Sequence, residues 1–403
     1  MLVVGAGPAG ADLARRLALA GIDVLLVDQL PDLAQAAFSS AAMPLAALER
    51  FGLPAQVVAS RWSRWELIGP GPGSRHWQAP SPMGVVLDFG ALRGWLADQC
   101  QRWNGRVRLG LRAVSSQRDP DGTMSTELRD RGGRRLQVRS PWVVDASGQG
   151  RALLGEPPLS LAAELVRGVG VEWLLEVPAA CWQRWADRLA FCLGTDWVPQ
   201  GYGWVFPMQP GRLKVGVCRL EDPGAGQPEA GASQPPLGTV LQRLLGRVLP
   251  AGEAGFQVLD RHGGLIRSTI GRREPHRRGR LIGLGDAVST ANLLGGEGIR
   301  HALTSSAVLA PLLLQALASG DNPAPLQAYE DQLRRALGWC WPLSGRLARR
   351  TWLGLRGPAA DRRLERLLNG LQQNRAEDLS ALLFDYRFER YGLRALPYLL
   401  GWR

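Results

Sequence analysis

Lysine is all but missing from this sequence. Lys and Arg together number 48, yet Lys214 is the only lysine, so arginine carries nearly all of the formal charge of +12. A genome rich in G and C produces such a bias with no functional cause. The functional alternative is attraction to an anionic surface, either membrane or nucleic acid. Nucleic acid is the poorer choice, because no helix-turn-helix, zinc-finger or RNA-recognition pattern occurs. The five cysteines (Cys100, Cys181, Cys192, Cys218, Cys340) contain no Cys-x-x-Cys pair. That argues against a zinc site or a disulfide framework and fits a reducing compartment. Long apolar runs are lacking too: Ala307 to Ala318 is interrupted by Pro311 and Gln315 and is too short to span a bilayer. No signal peptide precedes the first apolar strand. The expectation is a cytoplasmic protein, soluble or peripheral on the cytoplasmic face of a membrane.

Glycine, by contrast, is abundant, at 50 of 403 residues, and falls in ordered clusters. The first 28 residues read as one βαβ half: a buried strand Leu2–Val4, a turn Gly5–Gly10, a helix Ala11–Ala20 closed by Gly21, and a strand from Ile22 to Val27 ending at Asp28. Leu92 to Trp103 has helical spacing, and 106–118 with 124–138 read as antiparallel strands about a turn at Asp119–Gly122. Trp142–Val144 is a buried strand entering Asp145-Ala146-Ser147-Gly148. Strands over 168–177, 204–207 and 213–220 suggest a second, sheet-based region, and 222–236 a flexible loop. Arg280–Leu284 is a further buried strand, with a helix over 298–318 after it and mostly helix over 321–403.

Three segments carry chemistry. In Gly5-Ala6-Gly7-Pro8-Ala9-Gly10 the glycines permit the turn and let a diphosphate approach main-chain N–H groups at the positive end of a helix. Asp28 then stands where ribose hydroxyls would donate to it. Asp145, at the end of its strand, is a second candidate cofactor contact, with an ordinary strand exit as the alternative. The third segment is Gly285-Asp286-Ala287 followed by Gly295-Gly296-Glu297-Gly298-Ile299. There Asp286 can meet a sugar or ribityl hydroxyl, and the glycine turn opens a helix whose N–H groups would face a flavin edge and stabilise negative charge on it.

In this order and at these separations, the three segments resemble the para-hydroxybenzoate-hydroxylase-type superfamily of FAD-dependent oxidoreductases. Within it, Gly201-Tyr202-Gly203-Trp204-Val205-Phe206-Pro207, Val215-Gly216-Val217 and Gly296-Glu297-Gly298-Ile299 resemble the geranylgeranyl reductase family, with lycopene cyclases as close relatives. The chain departs from the family pattern at Leu293, Ser289, Phe89 (after Asp88) and Ser39–Ala42. The resemblance implies an α/β fold: a discontinuous Rossmann-like FAD domain (1–60, 85–152, 263–320), an inserted sheet-based substrate domain (61–84, 153–262) and C-terminal helices (321–403). It implies FAD as cofactor, with transient NADPH or reduced ferredoxin as electron donor, since no second glycine fingerprint is present. It implies double-bond reduction in a geranylgeranyl-type substrate by hydride transfer from reduced flavin. Tyr202, Trp204 and Phe206 alternate and should share one face, as the apolar wall of a pocket or as plain core.

Alternatives remain: a lycopene-cyclase-like redox-neutral enzyme, an aromatic hydroxylase or halogenase, or a flavin-binding scaffold protein in pigment synthesis. Arg300 and His301 face either the cofactor or solvent, and Glu297 either orients the flavin or caps the helix. Arg334, Arg335, Arg346, Arg349 and Arg350, beside Trp339, Trp341 and Trp352, suit either a membrane interface or a helical cap. The basic surface also suits an acidic electron-donor protein.

Overall fold

Short strands made almost wholly of Val, Leu and Ile can be buried on both faces, and such strands build the centre of the first sheet, with the arginine-bearing strands at its edges. In the computed structural model, which describes residues 1–34, 39–222, 234–249 and 255–389, the sheet runs in the order Arg277–Arg278, Leu281–Gly283, Val143–Asp145, Leu2–Val4, Leu25–Asp28, Arg106–Leu109. All neighbours pair in parallel except the Arg277–Arg278 edge. Helices Pro8–Leu19, Phe89–Arg102 and Ile299–Ala318 pack together against it. Buried Asp12 ties two of them, accepting from Arg15 and Arg16 at 2.7 Å each and from the Ser306 hydroxyl.

A second sheet has seven strands: Gln257–Thr269, Leu165–Glu176, Arg212–Glu221, Gly201–Pro207, Arg188–Leu193, Arg64–Ile68 and Ser74–Gln78. Its alternation sorts two faces. Leu213, Val215 and Val217 pack on the amphipathic helix Leu237–Val248, whereas Tyr202, Trp204 and Phe206 point the other way. Helices Trp341–Leu353, Gly357–Leu371 and Ala376–Leu383 cover that aromatic face. This is the α/β architecture expected, a Rossmann-like domain with a sheet-based second domain and C-terminal helices.

Several boundaries move. The first helix starts at Pro8, because proline at the opening position fixes a helical φ and its missing N–H costs nothing there. The stretch 106–118 is two strands, broken at Gly110 in the left-handed region (φ +74). The stretch 124–138 is likewise two, Met124–Asp130 and Arg135–Ser140. Gln257–Thr269 runs straight through the boundary expected at 262/263 and pairs along its length with Leu165–Glu176. Most of the loop expected over 222–236, and the chain from 390 onward, lie outside the described residues. The apolar run at 307–318 belongs to a 20-residue helix, Ile299–Ala318; it is the one helix among the described residues long and apolar enough to cross a membrane, and 61% of its most apolar window is buried inside the protein.

Candidate active site

The carboxyl ends of the parallel strands converge on one crevice, the usual ligand position in open α/β sheets. Gly5 (φ +104) lies so close to Ala146 that a Cβ there would overlap its carbonyl, and a Cβ on Gly10 would overlap the Gly5 carbonyl. Gly7 differs: nothing stands within 4 Å of where its Cβ would be. The outer glycines therefore serve packing, and the middle one leaves a cradle at the N-terminus of helix Pro8–Leu19. A diphosphate fits there. Asp28 ends its strand beside the turn, accepting from Ala6 N at 2.6 Å and Leu30 N at 2.8 Å. Ala9, behind the cradle, touches the third segment: a Cβ on Gly285 (φ +64) would lie 2.7 Å from Ala9 Cβ.

Asp145 is turned to another task. Its fully buried carboxylate accepts from Ser147 N (3.1 Å) and from Leu153 N and Leu154 N (2.8 Å each), stapling the loop after its strand. Asp286 does face the cavity, with Thr290 Oγ1 donating to it at 2.9 Å. Burial raises its carboxyl above the ordinary value, against the Thr290 and Ala291 hydrogen bonds.

Gly295 to Ile299 forms the opposite rim of the same cavity. Asn292 and Glu297 exchange backbone hydrogen bonds (2.8 and 3.0 Å), closing a tight loop before the helix Ile299–Ala318. Gly296 (φ +67) has no room for a side chain because the Tyr202 hydroxyl presses against it. The aromatic strand of the second sheet thus touches the turn of the first domain directly. Burial pushes the Tyr202 phenol well above its ordinary value, so it stays protonated.

Glu297 neither caps the helix nor faces the cavity freely; its buried carboxylate is gripped by Arg300 at 2.6 and 2.8 Å. Burial raises the carboxyl and Arg300 opposes that. Arg300 and His301 are not on a solvated face. Arg300 also donates to the Phe384 carbonyl and reaches Asp385 at 3.3 Å. His301 is buried against Trp341 (ring centroids 4.9 Å apart), and burial, then Arg300, holds it well below its ordinary value. The two residues fasten the helix start to the C-terminal segment.

The cavity measures about 1150 Å³, larger than the 300–1,000 Å³ usual for small-molecule sites. From Pro8 and the Gly295–Gly298 turn it passes Trp65, Phe191, Tyr202, Trp204 and Phe206 into an aliphatic chamber of Leu347, Leu355, Leu364, Leu367 and Leu371. Arg350 and Arg363, both exposed, lie on its lining at the chamber end. Arg93 escaped the sequence reading. It is buried one helical turn beyond Phe89, over whose ring it stacks at 5.5 Å; burial weakens its charge and Asp28 is the foremost group supporting it. Its signal was the apolar spacing of that helix, where an arginine falls on the inward face.

Residues 1–177 match the family model described as lycopene cyclase protein. The digeranylgeranylglycerophospholipid reductase of Haloferax volcanii is 26% identical over 83% of this chain and 80% of its own. The menaquinone reductase of Mycolicibacterium smegmatis is 26% identical over 78% and 76%. Among solved structures, a geranylgeranyl bacteriochlorophyll reductase-like protein from Thermoplasma acidophilum superposes with a TM-score of 0.78 at 20% identity, covering 98% of both chains. The p-nitrophenol 4-monooxygenase of Pseudomonas putida gives 0.69 at 20%, over 100% and 98%. At such identity the two structures speak for the fold, and the set together bears out the resemblance to geranylgeranyl reductases within the wider superfamily.

Proposed function

We propose that this geranylgeranyl-reductase-like oxidoreductase binds FAD in the crevice and saturates isolated double bonds of a polyprenyl chain held in the adjoining chamber. The observation that carries the reading is the continuity of one apolar cavity from Pro8 and the Gly295–Gly298 turn to the leucine-lined end. The open cradle at Gly7 and the helix behind it suit the diphosphate, Asp28 the ribose, Arg93 the charge nearby, and the Gly295–Gly298 turn the isoalloxazine edge. Bound and reduced, FAD would supply a hydride to one alkene carbon. The neighbouring carbon needs a proton, and Tyr202 holds one at Oη beside Gly296. Trp65, Phe191 and Phe206 keep water from the reacting bond. Arg350 and Arg363 favour a substrate with an anionic head, such as a phosphate, over a neutral quinone. NADPH bound in passing, or a reduced ferredoxin drawn by the basic surface, would provide electrons; the same surface suits contact with anionic lipid.

The test is anaerobic incubation of the dithionite-reduced FAD protein with geranylgeranyl diphosphate, digeranylgeranylglycerophospholipid, menaquinone and lycopene, followed by mass spectrometry. Gain of two mass units per saturated bond in the phosphate-bearing lipids is expected, and its absence from all four would sink the reading. The match to the lycopene cyclase model favours a second reading, redox-neutral cyclisation, which predicts an isomer of lycopene with unchanged mass.

A further inference from the structure

Lys214, the only lysine in the sequence, is buried. It lies on the cavity-facing side of the strand Arg212–Glu221, in the same row of side chains as Gly216 and Cys218. Its Nζ donates to the Ser39 carbonyl at 2.5 Å and stands 3.7 Å from the buried carboxylate of Glu172. Glu172 also accepts from Trp204 Nε1 at 2.8 Å and meets His262 Nε2 at 3.1 Å, and His262 Nδ1 meets the exposed Asp260 at 2.8 Å. Ser39, Ser40, Ala41 and Ala42 line the cavity, and Ala41 is held in the left-handed region at φ +58, a conformation a non-glycine residue keeps only when its surroundings impose it.

We propose that Lys214 is a positioning residue: with Glu172 as its counter-charge, it clamps the Ser39–Ala42 wall of the cavity onto the substrate sheet. An ammonium suits this place and a guanidinium does not. The compact, three-donor head meets a carbonyl and a carboxylate at once, whereas a planar fork fixes its donors in one plane. The clamp rests on the cavity being the cofactor and substrate site, but its test needs no substrate, so it stands or falls apart from the polyprenyl reading.

Hydrogen exchange of the FAD-loaded protein reads the clamp. Lys214→Met alone strands a buried carboxylate and risks misfolding, so the decisive variant is Lys214→Met with Glu172→Gln, which removes both charges. We expect its backbone exchange over 40–43 to rise about tenfold and the visible flavin spectrum to shift, with exchange at Gly5–Gly10 unchanged and FAD affinity within about threefold. Lys214→Arg should fail to restore protection, and ethylammonium added to a folded Lys214→Ala protein should restore part of it. Wild-type exchange and spectrum in the double variant, or full protection in Lys214→Arg, would overturn the proposal.

Discussion

At Gly7 the space beyond the missing side chain is empty, whereas at Gly5 and Gly10 it is filled by the protein itself. The three positions should therefore fail differently. Gly7→Val leaves packing alone and should alter folding stability by under about 1 kcal/mol. It would cost the diphosphate at least two charge-assisted hydrogen bonds, so FAD affinity should drop about 100-fold or more, measured by flavin titration. Gly10→Ala should instead lower the thermal midpoint, by about 1–3 kcal/mol of stability, because Ala146 Cβ at 2.8 Å and the Gly5 carbonyl must move. A midpoint unchanged in Gly10→Ala, or tight FAD binding by Gly7→Val, would contradict this division of labour. The turn itself was legible in the sequence because turn chemistry is local, whereas the packing of Gly5 and Gly10 on Ala146 was not, since that residue follows a distant strand. The role of Asp145 was not legible either: the donors that occupy it come from Leu153 and Leu154, and nothing in a strand-ending aspartate announces them.

Among elements, the aromatic strand depends on its neighbour. Gly216 stands opposite Trp204, and a Cβ there would overlap the indole. The missing side chain lets the ring lie across the next strand, so that Nε1 reaches Glu172 two strands away. Gly216→Ala should therefore cost about 1–3 kcal/mol by overpacking, seen as a lower thermal midpoint, and should quench or shift tryptophan fluorescence as the indole leaves its carboxylate. The alternation of Tyr202, Trp204 and Phe206 foretold their common face. Their reach to Glu172 and to Gly296 depends on which strands become neighbours, which period-two patterning does not encode. The split of 106–118 at Gly110 was missed for a related reason: its two halves join different sheets, and only pairing shows it.

The whole molecule should weaken in acid. Burial, then Arg272, holds His276 down to about 3, and His301 is also depressed, whereas both would titrate near 6.5 when unfolded. Between the folded and unfolded values the unfolded chain binds more protons, so stability is full above about pH 6.5 and falls as pH drops through the window beneath it. Each such histidine contributes roughly 1.4 kcal/mol per pH unit there. Thermal midpoints should thus decline from about pH 7 to about pH 5, and His276→Gln should flatten the decline. Burial lowers His262, but Glu172 and Asp260 outweigh it and raise its value, so this histidine acts in the opposite sense. The deciding comparison is therefore between proteins: the same pH dependence in His276→Gln as in the wild type would refute the assignment.

Arg300 holds Glu297 of the Gly295–Ile299 turn and the Phe384 carbonyl, and Phe384 packs on Trp65 in the cavity wall. The start of the helix Ile299–Ala318 and the C-terminal cover of the cavity therefore hang on a single pin. Cutting the pin should therefore loosen the helix start and the cover together: Arg300→Met is expected to raise hydrogen exchange at both 295–299 and 383–385, and a rise at only one of them would contradict the shared anchor.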